Sequence, residues 1–412
     1  MIFRPYRAIL ARPGAWQFSA AGFISRLPIA MVGIGIVLMV SELYGSYATA
    51  GRVSAAYIVT HAICSPQLAK LVDRHGQAKI MRVSITFAAV ALGGLIVAAI
   101  IRAPEPALYL TAAAAGATIG SMGAMVRARW ARVVTTPAEL HTAYALESAL
   151  DELSFVTGPV IATMLATGVT PWAALLVPMA AALIGGHWLL SQRRTEPPPS
   201  GREHRAASHG PVLSPAILAV MAIFFATGAV FGGADVVVVA FTEEQGAKNL
   251  AGLVLGAFAG GSLIAGLAYG ARAWHSPLWL RFVIGAGLLG VGSFAFLLAD
   301  SVLSLAVIGL IVGCAIAPTL INGNAIVQAK VPAARLTEGL TWLGAGIGVG
   351  VSGGAFLAGT VVDAYGARAG FYVVAGAASL AAVIAVVAIR VLREPGPDEP
   401  ITLPDQNAPE MR

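Results

Sequence analysis

Long apolar runs dominate the chain and recur at a regular pace. A helix needs about 20 predominantly apolar residues to cross about 30 Å of hydrocarbon. Runs of that length lie near 16–40, 51–71, 80–101, 107–126, 143–167, 172–190, 215–241, 250–270, 278–299, 302–326, 339–362 and 367–390. Twelve runs predict twelve membrane-spanning helices. The longest polar stretch, 191–214, is rich in Pro, Ser, Arg and His and divides six runs from six. The pattern predicts an all-α membrane protein with one six-helix bundle over 1–190 and a second over 215–390. Between them lies a flexible cytoplasmic linker, 191–214, and a disordered cytoplasmic tail follows at 391–412.

Charge supports this division. Cytoplasmic loops collect Lys and Arg, and of the 26 basic residues only Arg52, Arg102, Lys248 and Arg368 fall on one side of the predicted spans, with Arg26 inside the first. The rest lie on the other side. This predicts an even number of spans and both termini in the cytoplasm of a plasma-membrane protein. The formal charge of +6 is explained by loop placement, without a basic helix or interleaved aromatic surface for nucleic acid. Arg4, Arg7 and Arg12 precede a first run too long for a cleaved signal peptide. Cys64 and Cys314 each sit in an apolar run, with no spacing for a metal.

The fifth run is the one that carries chemistry. Residues 143–164 read as a span yet hold Glu147, Asp151 and Glu152, and a carboxylate in hydrocarbon is costly unless paired, hydrated or protonated. Arg26 lies roughly 15 Å from the inner end of the first run and Asp151 roughly 12 Å from that of the fifth, at about 1.5 Å per residue. Comparable depth makes Arg26 a candidate partner for Asp151 or Glu152. One acid would then stay ionised while the other could bind a proton. A structural ion pair that fixes helix register is the competing interpretation. Glu147, nearer the cytoplasmic end, is expected to be wetted or associated with the inner loops. Gly158-Pro159 should weaken the helix locally and mark a break. Asp235 in the seventh run, Asn322 and Asn324 in the tenth, and His61 in the second are candidates for the substrate path, with packing or interhelical bonds as the alternative for each.

Other motifs narrow the function. Gly348-x-Gly350-x-x-Gly353 lacks a preceding strand and is no dinucleotide site. Phosphate-loop, serine-hydrolase and zinc-hydrolase signatures are absent. We therefore expect no enzyme, no cofactor, no metal and no use of ATP. Thr136-Pro137-Ala138 recurs as Val331-Pro332-Ala333, which suggests two similar halves.

The loop after the second run, Ala69-Lys70-Leu71-Val72-Asp73-Arg74-His75-Gly76-Gln77-Ala78-Lys79, resembles the signature loop of the major facilitator superfamily. It departs from that signature at Ala69 and at Gln77-Ala78. The resemblance implies the two-bundle fold of that family and a cytoplasmic latch at Asp73, Arg74 and Gly76. The corresponding loop of the second half, residues 266–272, has no Asp-Arg pair, so a latch is not expected there. Gly158-Pro159 resembles part of the antiporter motif of the family's drug exporters. Together these imply proton-coupled export of a small amphipathic or drug-like compound by a monomer in the lipid bilayer. The partners would be protons and a small-molecule substrate. Uptake of a sugar or metabolite with protons, and a non-transporting receptor, are the alternatives.

Overall fold

The computed structural model describes residues 4–200, 212–247 and 250–393. The expected tail beyond residue 393 and linker residues 201–211 lie outside the described residues. Among the described residues the regular structure is helical. The first half holds α1 (Arg4–Leu10), α2 (Ala15–Tyr44), α3 (Tyr47–His75), α4 (Gln77–Ile100), α5 (Glu105–Ile119), α6 (Met122–Val133), α7 (Pro137–Gly168) and α8 (Ala173–Ser191). The second holds α9 (Pro215–Glu244), α10 (Ala251–Gly270), α11 (Leu278–Ser293), α12 (Val302–Gly313), α13 (Ile316–Lys330), α14 (Leu336–Tyr365), α15 (Ala367–Val387) and α16 (Ile389–Arg393).

Among the described residues, eleven helical stretches are long and apolar enough to cross a membrane. The missing twelfth is α3. Its 29 residues suffice in length, but Arg52, His61, Lys70, Asp73 and Arg74 reduce its hydropathy. It packs against α2 and α5 as the second span of its bundle. Two of the twelve runs are interrupted. α5 gives way to α6 at Gly120, whose φ of 66° suits a residue without Cβ, and α12 gives way to α13 at Cys314 and Ala315.

Local signals explain where the helices start. The Ser46, Thr136 and Ser214 hydroxyls accept the N–H of Thr49, Glu139 and Ile217, capping α3, α7 and α9. The recurring Thr136-Pro137 and Val331-Pro332 segments lead into α7 and α14, the helices that carry each half onto the other. α7 packs on α10 and α13, and α14 on α3 and α6. Pro159 does not break α7, which runs unbroken for 32 residues. It packs on α2 there, and Gly158 lets the helices approach so closely that a Cβ would lie 3.0 Å from Ala30 and Met31.

The halves meet at one end and separate towards the other. At the end bearing the basic loops, called the basic end, the Tyr6 hydroxyl donates to Leu267 O at 2.6 Å and the Thr142 hydroxyl to Gly270 O at 2.8 Å. A Cβ on Gly270 would fall 2.0 Å from that of Ala145, so α7 and α10 touch at backbone level. Further along α10, Gly260, Gly256 and Gly252 have open space where a Cβ would stand.

The described part of the linker is ordered. Thr195 is buried and accepts from Arg129 at 2.9 Å. The Ser200 N–H and hydroxyl both donate to the Asp73 carbonyl at 2.9 Å. The end of α3 leaves a carbonyl that needs donors, and these linker residues supply them.

Candidate functional site

The site grows from α2, α6 and α7 of the first half and is closed off by α10 of the second. Arg26 sits mid-way along α2 with 4% of its surface exposed. Its Nε donates to the Gly22 carbonyl of its own helix at 3.2 Å. That bond aims the guanidinium at α7, where Nη1 donates to Asp151 Oδ1 at 2.7 Å and to the Glu147 carbonyl at 3.1 Å. Nη2 donates to Glu147 Oε2.

Glu147 is fully buried, not wetted. Its other oxygen, Oε1, accepts from the Ser19 hydroxyl at 2.8 Å and the Trp130 indole N–H at 2.7 Å. A buried carboxylate needs this complete set of donors. Asp151 is bound on both oxygens, because Arg127 Nη2 donates to Oδ2 at 2.6 Å. Arg127 looks like a loop residue in sequence, yet it is 92% buried by its 8% exposure. The cause is that α6 extends to Val133, well past the apolar run. Two arginines and two carboxylates thus form a closed network of zero net charge.

Glu152 stands apart from it. The structure does not pair it with Arg26. One residue after Asp151, it points round the helix to the second half, where Ser262 of α10 donates to its Oε1 at 2.7 Å. It is 9% exposed and, among the described residues, has no cationic partner. Asp151 and Glu152 therefore lie on two faces of α7, with Arg26 of α2 serving Asp151 and Glu147.

The remaining candidates are spread out. Asp235, on α9, is exposed and, among the described residues, accepts no hydrogen bond. Asn322 is buried; its Nδ2 donates to the Tyr269 hydroxyl at 2.9 Å and to Pro318 O at 2.8 Å, tying α13 to α10. Asn324 donates to Leu320 O on its own helix. His61 is half-buried within the first half, stacked on Tyr57 at 6.3 Å and bonded to the Ser65 hydroxyl at 3.3 Å. Among these bonds, that of Asn322 to Tyr269 joins two helices, whereas those of Asn324 and His61 stay within their own helices.

At the basic end, Asp73 Oδ2 accepts the Glu338 N–H of α14 at 2.9 Å. The N-terminus of α14 has no side-chain cap of its own, so a carboxylate from the other half satisfies it, favoured by the helix dipole. Gly76, at φ 95°, turns the chain from α3 into α4. Arg74 contributes no ion pair among the described residues. His141 was not singled out in the sequence; its Nε2 bonds the Tyr269 carbonyl across the same interface at 3.1 Å.

The family model described as Major Facilitator Superfamily matches residues 18–278 and again 220–411. The chain belongs to the major facilitator superfamily. A major facilitator relative from Sinorhizobium fredii (strain NBRC 101917 / NGR234), described as an uncharacterized MFS-type transporter y4rN, is 29% identical over 188 residues. That match spans 45% of this chain and 46% of the relative, so the chain covers under half the length of the relative it matches. Among solved structures, a bacterial homologue of the iron transporter ferroportin in an outward-facing state superposes with a TM-score of 0.73 at 14% identity. It covers 90% of this chain and 98% of its own. The human organic anion transporter MFSD10 (TETRAN) gives 0.63 at 14% identity over 93% and 99%. At such identity the two structures share the fold, and the protein is a multi-pass membrane protein of the major facilitator superfamily.

Proposed function

We propose that the protein exports a small amphipathic or drug-like compound from the cell in exchange for protons by opening its two ends alternately, working as a monomer in the plasma membrane with both termini in the cytoplasm. With the basic end in the cytoplasm, the present state is closed inward and open outward. The observation that carries the coupling is the isolation of Glu152. Glu147 and Asp151 are saturated by Arg26 and Arg127, whereas Glu152 is buried at the seam between halves and held by one neutral hydroxyl. Such a carboxyl can change protonation without breaking an ion pair, and its bond to Ser262 makes the change felt by both halves. Proton binding would loosen or tighten the seam, and substrate would compete for the same conformations. Asp235, exposed on α9, supports a substrate that bears a positive or hydrogen-bonding group. The Gly158-Pro159 pair supports export as the direction.

Ethidium efflux from sealed vesicles energised by an imposed pH gradient tests this. Glu152→Gln is expected to abolish gradient-driven flux while leaving ethidium exchange without a gradient intact. Unchanged gradient-driven flux in that variant would overturn the coupling role. Absence of ethidium transport by the unmodified protein would overturn the substrate class.

A further inference from the structure

The α3–α4 turn that reaches across the basic end has a twin at the other end of the molecule. Val72-Asp73-Arg74-His75-Gly76 closes α3, and Val362-Asp363-Ala364-Tyr365-Gly366 closes α14. The two backbones match, with φ 95° and ψ 147° at Gly76 against φ 83° and ψ 169° at Gly366. Each glycine N–H donates at 2.8 Å to the valine carbonyl four residues back. Each following helix has, within its first two residues, an alanine N–H held by a glutamate from elsewhere in the chain. Ala78 donates to Glu196 Oε1 at 2.9 Å, and Ala367 to Glu244 Oε1 at 2.7 Å. One thing differs. Asp73 spans the gap between halves, whereas Asp363 is exposed and, among the described residues, accepts no hydrogen bond.

The geometry of α3 and α14 says where Asp363 would go. The end of α3 meets the start of α14, so the two helices run antiparallel and the end of α14 lies towards the start of α3. Exchanging the two helices places Asp73 on Asp363. It also places Glu338, near the start of α14, on Ala48, next to Thr49 in the first turn of α3. In the present state the Ser46 hydroxyl holds the Thr49 N–H at 3.2 Å. Both landing places also carry an arginine–glutamate pair at 3.2 Å, Arg335–Glu338 at one and Arg52–Glu105 at the other.

We propose that Asp363 is the second latch of the protein. When the open end closes, its carboxylate docks on the first turn of α3 at Thr49, as Asp73 now docks on the first turn of α14. A helix N-terminus favours a carboxylate through its free N–H groups and its dipole. The two acids would therefore hold opposite states and alternate in their engagement. This rests on the alternate opening of the two ends, part of the proposed function, and is independent of proton coupling and of the substrate.

The test is a distance measurement between spin labels in lipid nanodiscs, with Cys64 and Cys314 replaced by alanine and labels at Val169→Cys and Gln245→Cys. These positions lie at the open end on opposite halves. Asp363→Asn is expected to lower the ratio of closed to open populations at that end roughly two- to five-fold, the size of a charge effect at a helix terminus. Asp73→Asn is expected to raise the ratio. A second measurement uses Thr49→Cys with Asp363→Cys, which should cross-link, and faster in the Asp73→Asn background. A response to Asp73→Asn with none to Asp363→Asn would overturn the second latch and leave alternate opening standing. So would failure of the cysteines to cross-link while the labels report a closed end. A single unchanging distance in every variant would overturn alternate opening and the second latch with it.

Discussion

Arg26 is the residue on which the first half depends. It donates to two carboxylates and one carbonyl on α7, so its loss leaves Glu147 buried without a cation. Breaking a buried pair costs about 3–5 kcal/mol, and Arg26→Met should show a large fall in the thermal unfolding temperature of purified protein. Replacing the partner as well, in Arg26→Met with Glu147→Leu, should recover much of that loss, because a buried apolar pair avoids the desolvation penalty. The contact between Arg26 and Asp151 was legible from matching depths along two runs. Glu147 was not, since its depth was counted from the edge of the apolar run at 143. α7 begins at Pro137, and below the hydrocarbon it is still surrounded by protein. The same error hid Arg127, which belongs to a helix that outlasts its apolar run.

At the scale of elements, α7 and α10 form the seam. Their closest approach, at Ala145 and Gly270, requires that neither carry a larger side chain. Gly270→Leu should force the helices apart at the basic end and populate a state open there. Cysteines placed at that interface would then become reachable by a thiol reagent added on the basic side. The helices themselves were readable from hydrophobic runs and from capping residues. The contacts of the linker were not, because Pro- and Ser-rich composition says nothing of the bare carbonyl at Asp73 or the bare N–H at Ala78 that the segment 192–200 satisfies. Residues 266–272, the counterpart of the latch loop in chain order, carry no Asp-Arg pair. The matching turn stands instead at 362–367, where helix order in each bundle places it at the opposite end.

The whole molecule is held closed at one end by contacts between halves and splayed at the other. Gly252→Cys and Gly256→Cys should therefore react with a membrane-impermeant thiol reagent applied to intact cells, while Gly266→Cys, whose Cβ would lie 2.8 Å from that of Ala317, should not. Equal reaction at the three positions would contradict the splayed arrangement. The twelve-helix layout and the two halves were fully expressed in the periodicity of apolar runs and the distribution of arginine. Which end is closed depends on a balance of contacts between distant segments, and no local pattern records it.

The network of Arg26, Arg127, Glu147 and Asp151 has a consequence for electrical behaviour. Moving one elementary charge across a membrane potential costs about 2.3 kcal/mol per 100 mV. Two positive and two negative groups locked to one another on α2, α6 and α7 travel as a single neutral load. In the proposed alternate opening, rocking of the first half would carry this region through the field without net work against the voltage. In Glu152→Gln, rapid changes of potential should draw no transient current from this region, leaving the state populations independent of voltage.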